Sequence, residues 1–173
     1  LLAPDGSEVV ATQVLELTAP QQSFHFDGLD ARPVPSILRG FSAPVILERN
    51  QTDSERAFLL AHDTDPFNRW EAGRALAKSV LARMITDGAA PGEAWLSGVE
   101  RVLFDESLDP AFRALALRLP GEDDMARTLH DAGFTPDPDR IHAERRRLGL
   151  GLAQRLGPRL GQLRDAMAVD GPY

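Results

Sequence analysis

Leu47-Glu48-Arg49-Asn50-Gln51-Thr52-Asp53-Ser54-Glu55 is the stretch at which the chain changes its period. Thr52 and Glu55 stand three apart, just ahead of the apolar run Ala57-Phe58-Leu59-Leu60. That spacing makes a capping box, in which the threonine hydroxyl accepts from the third helical N–H and the glutamate reaches back to the cap residue's own N–H. A helix therefore opens at Thr52, and the polar run Glu48 to Gln51 predicts a structural boundary in front of it. After this point apolar residues recur with helical spacing; before it they alternate.

Toward the amino terminus, Val45 and Leu47 form a short alternating run with Pro44 at its first position, where a missing N–H is tolerated. Arg32 and Val34 each precede a proline and are pushed out of the α region, so Arg32-Pro33-Val34-Pro35 is extended. Phe24 and Phe26 alternate with Ser23, His25 and Asp27, and Leu15 and Leu17 face away from Val14 and Glu16. Ala19-Pro20-Gln21 predicts a turn joining these two runs into a hairpin-like pair. Alternation of this kind marks strands with one buried face. Three such strands are too few to close a two-sided sheet, which points to the last strands of a larger sandwich.

Toward the carboxyl terminus, Asp65-Pro66 predicts a second helix, a cap followed by proline at the first helical position. Its apolar stripe is Trp70, Ala77, Val80, Leu81 and Met84, with Arg74 and Lys78 opposite. Trp70 is expected in the core at the junction. Pro91-Gly92 closes the next loop, and Trp95, Leu96, Val99, Val102 and Leu103 line a third helix. Asp109-Pro110 repeats the cap-plus-proline start, with Phe112, Leu115 and Leu119 continuing the core, and a short helix covers Asp123 to His130. The last helix follows Pro136-Asp137-Pro138 and carries Ile141, Leu148, Leu152 and Leu156. Gly157-Pro158 predicts a kink or break, because proline disfavours a helix interior by about 3 kcal/mol. Beyond it Leu160, Leu163 and Met167 have few expected neighbours, which predicts fraying or self-association from Gly157 onward.

The fold class is therefore α+β: the C-terminal part of a small antiparallel β-sandwich over residues 1–49, then the start of a stacked α-helical array over 50–173. Leu1-Leu2 runs directly into the turn signal Pro4-Asp5-Gly6, as a cut through a strand would leave it. Asp170-Gly171-Pro172-Tyr173 falls in a loop signal. Both ends are expected to lie inside a longer polypeptide.

Charge and composition exclude several functions. The 173 residues carry 19 Lys and Arg against 26 Asp and Glu, a net charge of -7, which opposes binding to nucleic acid or an anionic membrane. No stretch approaches the roughly 20 apolar residues that span a bilayer. With no cysteine, disulfides and thiolate metal sites are ruled out, and a reducing, cytoplasmic setting fits. None of the four histidines (His25, His62, His130 and His142) is followed by glutamate, so a helical His-Glu-x-x-His metal site is not encoded. His142-Ala143-Glu144 matches a deaminase His-x-Glu only superficially, since that site needs cysteine ligands. Gly149-Leu150-Gly151 is a fragment of a dinucleotide loop inside a helical pattern, and Arg145-Arg146-Arg147 reads as a solvated helix face. Glu122-Asp123-Asp124 suits a helix N-terminus, where the dipole favours negative charge. No catalytic or metal-binding residue is assigned, and the substrate-binding residues are unknown.

Arg32-Pro33-Val34-Pro35-Ser36-Ile37-Leu38-Arg39-Gly40-Phe41-Ser42-Ala43-Pro44-Val45 resembles the junction segment of the M1 family, the zinc-dependent alanyl aminopeptidases of the bacterial aminopeptidase N type. Similarity continues through Phe58-Leu59, Asp65-Pro66-Phe67-Asn68-Arg69-Trp70-Glu71, Leu103-Phe104-Asp105-Glu106-Ser107-Leu108-Asp109-Pro110 and Ala116-Leu117-Arg118-Leu119-Pro120, in the family's order. The resemblance implies a parent that removes N-terminal residues from peptides with zinc as cofactor. It also implies that the upstream catalytic domain holds the zinc ligands, so none is transferred here. The partners it implies are that catalytic domain and the parent's peptide substrates. The role expected of this segment is a spacer and part of a helical cap; the competing reading is a free-standing helical protein-interaction adaptor.

Overall fold

The computed structural model describes residues 1–45, 47–168 and 171. Among the described residues six α-helices follow an irregular amino-terminal arm: α1 Asp53–His62, α2 Pro66–Asp87, α3 Glu93–Leu103, α4 Pro110–Ala116, α5 Glu122–Asp131 and α6 Pro138–Met167. Their starts obey the sequence. Glu55 N–H donates to Thr52 Oγ1 at 3.1 Å, and Thr52 N–H donates to Glu55 Oε2 at 2.9 Å, closing the capping box. Asp65, Asp109 and Asp137 each accept from the first-turn N–H groups of α2, α4 and α6, with proline following each cap.

α2 is the central rod, packed against α1, α3, α4, α5 and α6. The core gathers Leu76, Val80, Leu81 and Met84 of α2 with Trp95, Val99 and Val102 of α3. Met125 and Leu129 of α5 and Ile141, Leu148, Leu152 and Leu156 of α6 complete it. Leu60 of α1, 2% exposed, sits in a nest made by two helical glycines. A Cβ on Gly73 would lie 2.8 Å from its Cδ1, and one on Gly98 would lie 2.6 Å from its Cδ2. Glycine costs a helix interior about 1 kcal/mol, and here the absence of a side chain lets α1 lie close to both neighbours.

Four expectations need correction. The runs Val14–Leu17 and Phe24–Phe26 are extended but form no strand. Among the described residues the only ladder contacts are isolated antiparallel bridges from Leu2 to Glu8 and Val34. The alternation marks a face fit for burial, yet a ladder also needs a neighbour to take its N–H and C=O groups, and none lies alongside. Val14, Leu15, Leu17, Phe24, Val45 and Leu47 are consequently exposed, while Ile46 lies outside the described residues. Trp70 is only half-buried; the fully buried tryptophan is Trp95. Leu115 is exposed, and Arg113 of α4 is buried instead, donating to Leu103 O at 3.3 Å.

The fourth concerns the break expected at Gly157-Pro158: α6 runs on through Pro158. Proline and the residue four before it, Gln154, are exposed, so the carbonyl deprived of its donor faces solvent. Ion pairs on either side hold the helix against α3: Arg155 to Glu93 and Glu100 at 2.6 and 2.8 Å, and Arg159 to Glu100 at 2.7 Å. Arg155 and Arg159 hold the Glu100 carboxyl below its ordinary range. Leu160 and Leu163 pack half-buried on the core and Met167 is exposed.

Candidate functional site

The arm and the array meet in a polar clamp, built from the sequence around Arg32–Val45 and the first turn of α2. Asp65 caps α2 through one carboxylate oxygen, accepting from Asn68 N–H at 2.9 Å, and takes Gly40 N–H on the other at 3.1 Å. Asn68 Nδ2 donates to Ser36 Oγ and to Ile37 O, both at 2.9 Å. Phe67 packs on Phe41 as a tilted pair with ring centroids 4.0 Å apart, and Trp70 continues the row 5.8 Å from Phe67. Arg74 lies over the Trp70 ring and pairs with Asp124 of α5 at 2.7 Å.

Arg69, buried, turns the other way and finishes α1. Its Nε donates to Leu60 O at 2.8 Å, and its Nη2 donates to Ala61 O at 3.0 Å and to Asp105 at 3.3 Å. The last carbonyls of a helix have no partner within it. The short link Asp63-Thr64-Asp65 brings the first turn of α2 to those carbonyls, so one arginine ties α1, α2 and the end of α3 together.

Opposite this first turn the chain makes a turn of unusual handedness. Leu38, Gly40 and Phe41 all have positive φ, of 59°, 62° and 55°. For residues with a Cβ this region costs roughly 1–2 kcal/mol each. The conformation is held by Arg39, which donates to Thr12 Oγ1 at 2.7 Å and to Thr64 Oγ1, and pairs with Glu8 at 3.4 Å. Arg39 also lies 3.9 Å from Asp63, whose side chain is 1% exposed as a residue and takes Asp65 N–H on Oδ1 at 2.9 Å. The result presents Phe41 with 70% of its surface open.

A second contact secures the tip of the arm. Leu2 and Val34 exchange backbone hydrogen bonds at 3.0 and 2.8 Å, and Leu2 is buried with Leu59 and Ala72. The Pro4-Asp5-Gly6 turn rests on the imidazole of His62. Gly6 has φ +90°, and a Cβ there would stand 2.3 Å from His62 Nδ1, so both conformation and space demand glycine. Arg101 of α3 lies 3.0 Å from His62 Nε2; since arginine only donates, Nε2 accepts and the proton sits on Nδ1. Burial, then the Arg101 and Arg69 charges, depress the His62 pKa below 6.5, with Asp5 opposing them.

The histidines do not converge. His25 borders a groove of about 460 Å3 whose lining includes Phe24, Phe26, Ile37, Arg49 and Glu55. His130 and His142 lie exposed beside Asp131 and Glu122, at 3.4 and 2.8 Å. Among the described residues no group of three or more His, Asp or Glu side chains could hold a metal ion. Arg145 and Arg147 are spent on the carbonyls of Pro120 and Ala89, and Glu144 pairs with Arg147 at 3.0 Å. Gly149 and Gly151 lie within α6, where a Cβ would meet Leu119 and Pro91 only at ordinary contact distance.

The clamp residues stand in the sequence without any sign of their partners. Asp65 reads as a cap alone, and local spacing gives Asn68, Arg69 and Arg39 no contact. The available signal was the short link between α1 and α2, which forces the early side chains of α2 onto the open carbonyls of α1.

Two families match. "Domain of unknown function (DUF3458) Ig-like fold" covers residues 1–50, and "Domain of unknown function (DUF3458_C) ARM repeats" covers residues 53–173. Aminopeptidase N of Caulobacter vibrioides is 38% identical across 100% of this chain, which corresponds to 20% of that protein. Aminopeptidase N of Escherichia coli is 37% identical over 65% of this chain and 14% of its own length; that of Haemophilus influenzae is 32% identical over 84% and 17%. The crystal structure of Legionella pneumophila aminopeptidase A in complex with aspartic acid superposes with a TM-score of 0.80 at 25% identity, over 99% of this chain and 20% of that one. The chain thus spans a fifth or less of the length of these curated relatives. The chain belongs to the DUF3458_C ARM-repeat family over residues 53–173, preceded by a DUF3458 Ig-like match over residues 1–50, and it is similar to a section of aminopeptidase N.

Proposed function

We propose that this chain is a non-catalytic section of a longer zinc-dependent aminopeptidase that removes N-terminal residues from peptides in the cytoplasm. Residues 1–49 would close a β-sandwich spacer, and residues 50–173 would begin the helical cap over the active site. The observation that carries the reading is the alignment of the whole chain with aminopeptidase N at 38% identity. The geometry supports the division of labour. Arm and array are joined by Asp65, Asn68 and the Arg39 network, so the array is held at a fixed angle to the spacer. A cap so held over a catalytic face limits entry to short or unfolded peptides and keeps bulk water out.

The spacer's sandwich is supported by the extended runs themselves. Phe24 and Phe26 line a groove of mixed character with Arg49 and Glu55, and backbones without a ladder partner among the described residues are suited to strands from the rest of the polypeptide. The residues present do not fit zinc, because the four histidines stand in four separate places. The metal and the upstream catalytic domain that would hold it lie in the remainder of the polypeptide, and no catalytic step is assigned to these residues. The adaptor reading has no observation in its favour once the whole chain aligns with a peptidase.

The test is hydrolysis of an alanyl chromogenic substrate by the longer polypeptide, with and without chelator, beside the 173-residue chain alone. Chelator-sensitive turnover by the longer polypeptide and none by this chain is expected. An inactive longer polypeptide, or stoichiometric zinc and turnover in this chain, would overturn the proposal.

A further inference from the structure

We infer that Asp27-Gly28 is a modification site, at which the aspartyl residue isomerises spontaneously to a β-linked form with water as the co-reactant. The inference stands apart from the peptidase reading and needs no second protein.

Four Asp-Gly pairs occur in the sequence: Asp5-Gly6, Asp27-Gly28, Asp87-Gly88 and Asp170-Gly171. In each, glycine brings no side chain to shield its own nitrogen. The reaction is a ring closure. The glycine nitrogen gives up its proton and attacks Cγ of the protonated aspartyl carboxyl; a C–O bond breaks, water leaves and a succinimide remains. Water then opens the ring. Attack at Cγ restores aspartate, whereas attack at the former backbone carbonyl leaves the chain running through Cβ and Cγ with a free α-carboxylate. One water leaves and one returns, and nothing is oxidised or reduced.

The fold separates the pairs that the sequence makes equal; Asp170 lies outside the described residues. At Asp5 both reacting groups are engaged. The carboxylate accepts from Ser7 N–H at 2.9 Å and from the Ser7 hydroxyl at 2.6 Å, and Gly6 N–H donates to Ala3 O at 2.9 Å. The Ser7 bonds also hold the Asp5 carboxyl below its ordinary range, away from the protonated form that reacts. At Asp87 the helix supplies the restraint: Gly88 is the C-cap of α2 and its N–H donates to Arg83 O. A nitrogen whose proton is held by a carbonyl is a poor nucleophile. Asp27-Gly28 has neither restraint. Both residues are exposed, and among the described residues neither the Asp27 carboxylate nor Gly28 N–H has a hydrogen-bond partner. Gly28 sits at φ +72° with open space where a Cβ would stand, so the pair is free to rotate into the closing geometry.

The position gives the change a consequence. The pair stands between the Phe24–Phe26 run and the proline-rich segment that begins at Arg32. A β-linkage adds one carbon to the backbone there. Alternation has a period of two residues, so the added carbon uncouples the face shown by Phe24 and Phe26 from the residues that follow.

Incubation of the folded 173-residue chain and of the longer polypeptide in heavy-oxygen water tests the site, because each passage through the succinimide takes up one oxygen from solvent. Cleavage after Glu8, Glu16, Glu48, Glu71 and Glu93 puts Asp5, Asp27 and Asp87 in separate peptides for mass spectrometry, and backbone fragmentation identifies the β-linked form. Label is expected at Asp27 several-fold faster than at Asp5 or Asp87 in both folded proteins. Unfolding in urea should bring the three rates together, since folded contacts are what protect the other two. Gly28→Ala, which sets a methyl group beside the attacking nitrogen, should slow labelling at Asp27 several-fold. Equal rates in the folded chain, a difference that survives urea, no slowing in Gly28→Ala, or protection of Asp27 in the longer polypeptide would each overturn the inference.

Discussion

Replacing Arg69 with methionine isolates the energy of the joint between the first three helices. Methionine keeps most of the buried stem and removes the guanidinium, so the packing loss is small. What is lost is the donor to Leu60 O at 2.8 Å and to Ala61 O at 3.0 Å. Asp105 keeps the Ser107 hydroxyl and N–H as partners, so it is not orphaned. Leu60 O is buried and Ala61 O partly so; at about 1–3 kcal/mol for a buried carbonyl left without a donor and less for the second, Arg69→Met should destabilise by roughly 2–5 kcal/mol. For a domain of this size each kcal/mol lowers the melting temperature by about 2–4 °C, so a fall of the order of 10 °C is expected. Urea unfolding followed by tryptophan fluorescence reads the change, and Arg69→Lys, able to reach one carbonyl, should fall between the two. A loss below about 1 kcal/mol would mean that water replaces the guanidinium at no cost and that the joint is held by packing alone.

Two further outcomes follow from the same packing. Gly98→Ala should destabilise the parent chain, since overpacking at Leu60 costs about 1–3 kcal/mol against a helix-propensity gain of about 1. In a Leu60→Ala background the same change should stabilise, and a double-mutant cycle showing no such reversal would refute the nest. His62 supplies a pH prediction. Its folded pKa lies below the unfolded value of 6.5, so the fold prefers the neutral ring. Its contribution is therefore complete above that value and is lost as pH falls from it toward the folded pKa. The parent should lose stability over this acid window relative to His62→Gln; parallel profiles in denaturant titrations would show that the imidazole does not titrate against the Gly6 turn.

The helical half was legible because each start carries local chemistry. Thr52 with Glu55, and Asp65, Asp109 and Asp137 each before proline, satisfy N–H groups within three residues of themselves. The stripe of α3 was equally readable, as Trp95 and Val99 need only a neighbouring helix of any identity. The arm was not, because Phe24 and Leu17 report a face to be covered and say nothing of whether a strand stands beside them. Pro158 misled for a related reason: its cost depends on whether Gln154 O faces water, and on Glu100 standing across from Arg155, which are facts of tertiary placement. The clamp was visible as letters in Asp65 to Trp70, but their work depends on which carbonyls the preceding turn delivers.

Pro158 also sets how α6 responds to load. A helix pulled along its axis yields where its ladder has a rung missing, and that rung lies between Gln154 and Pro158. Arg155 sits on the near side of the gap and Arg159 on the far side, and both close on Glu100. One carboxylate therefore bridges the weak point from outside, as a splint crosses a fracture. Both stretches of α6, on either side of the missing rung, are therefore tied to one residue of α3.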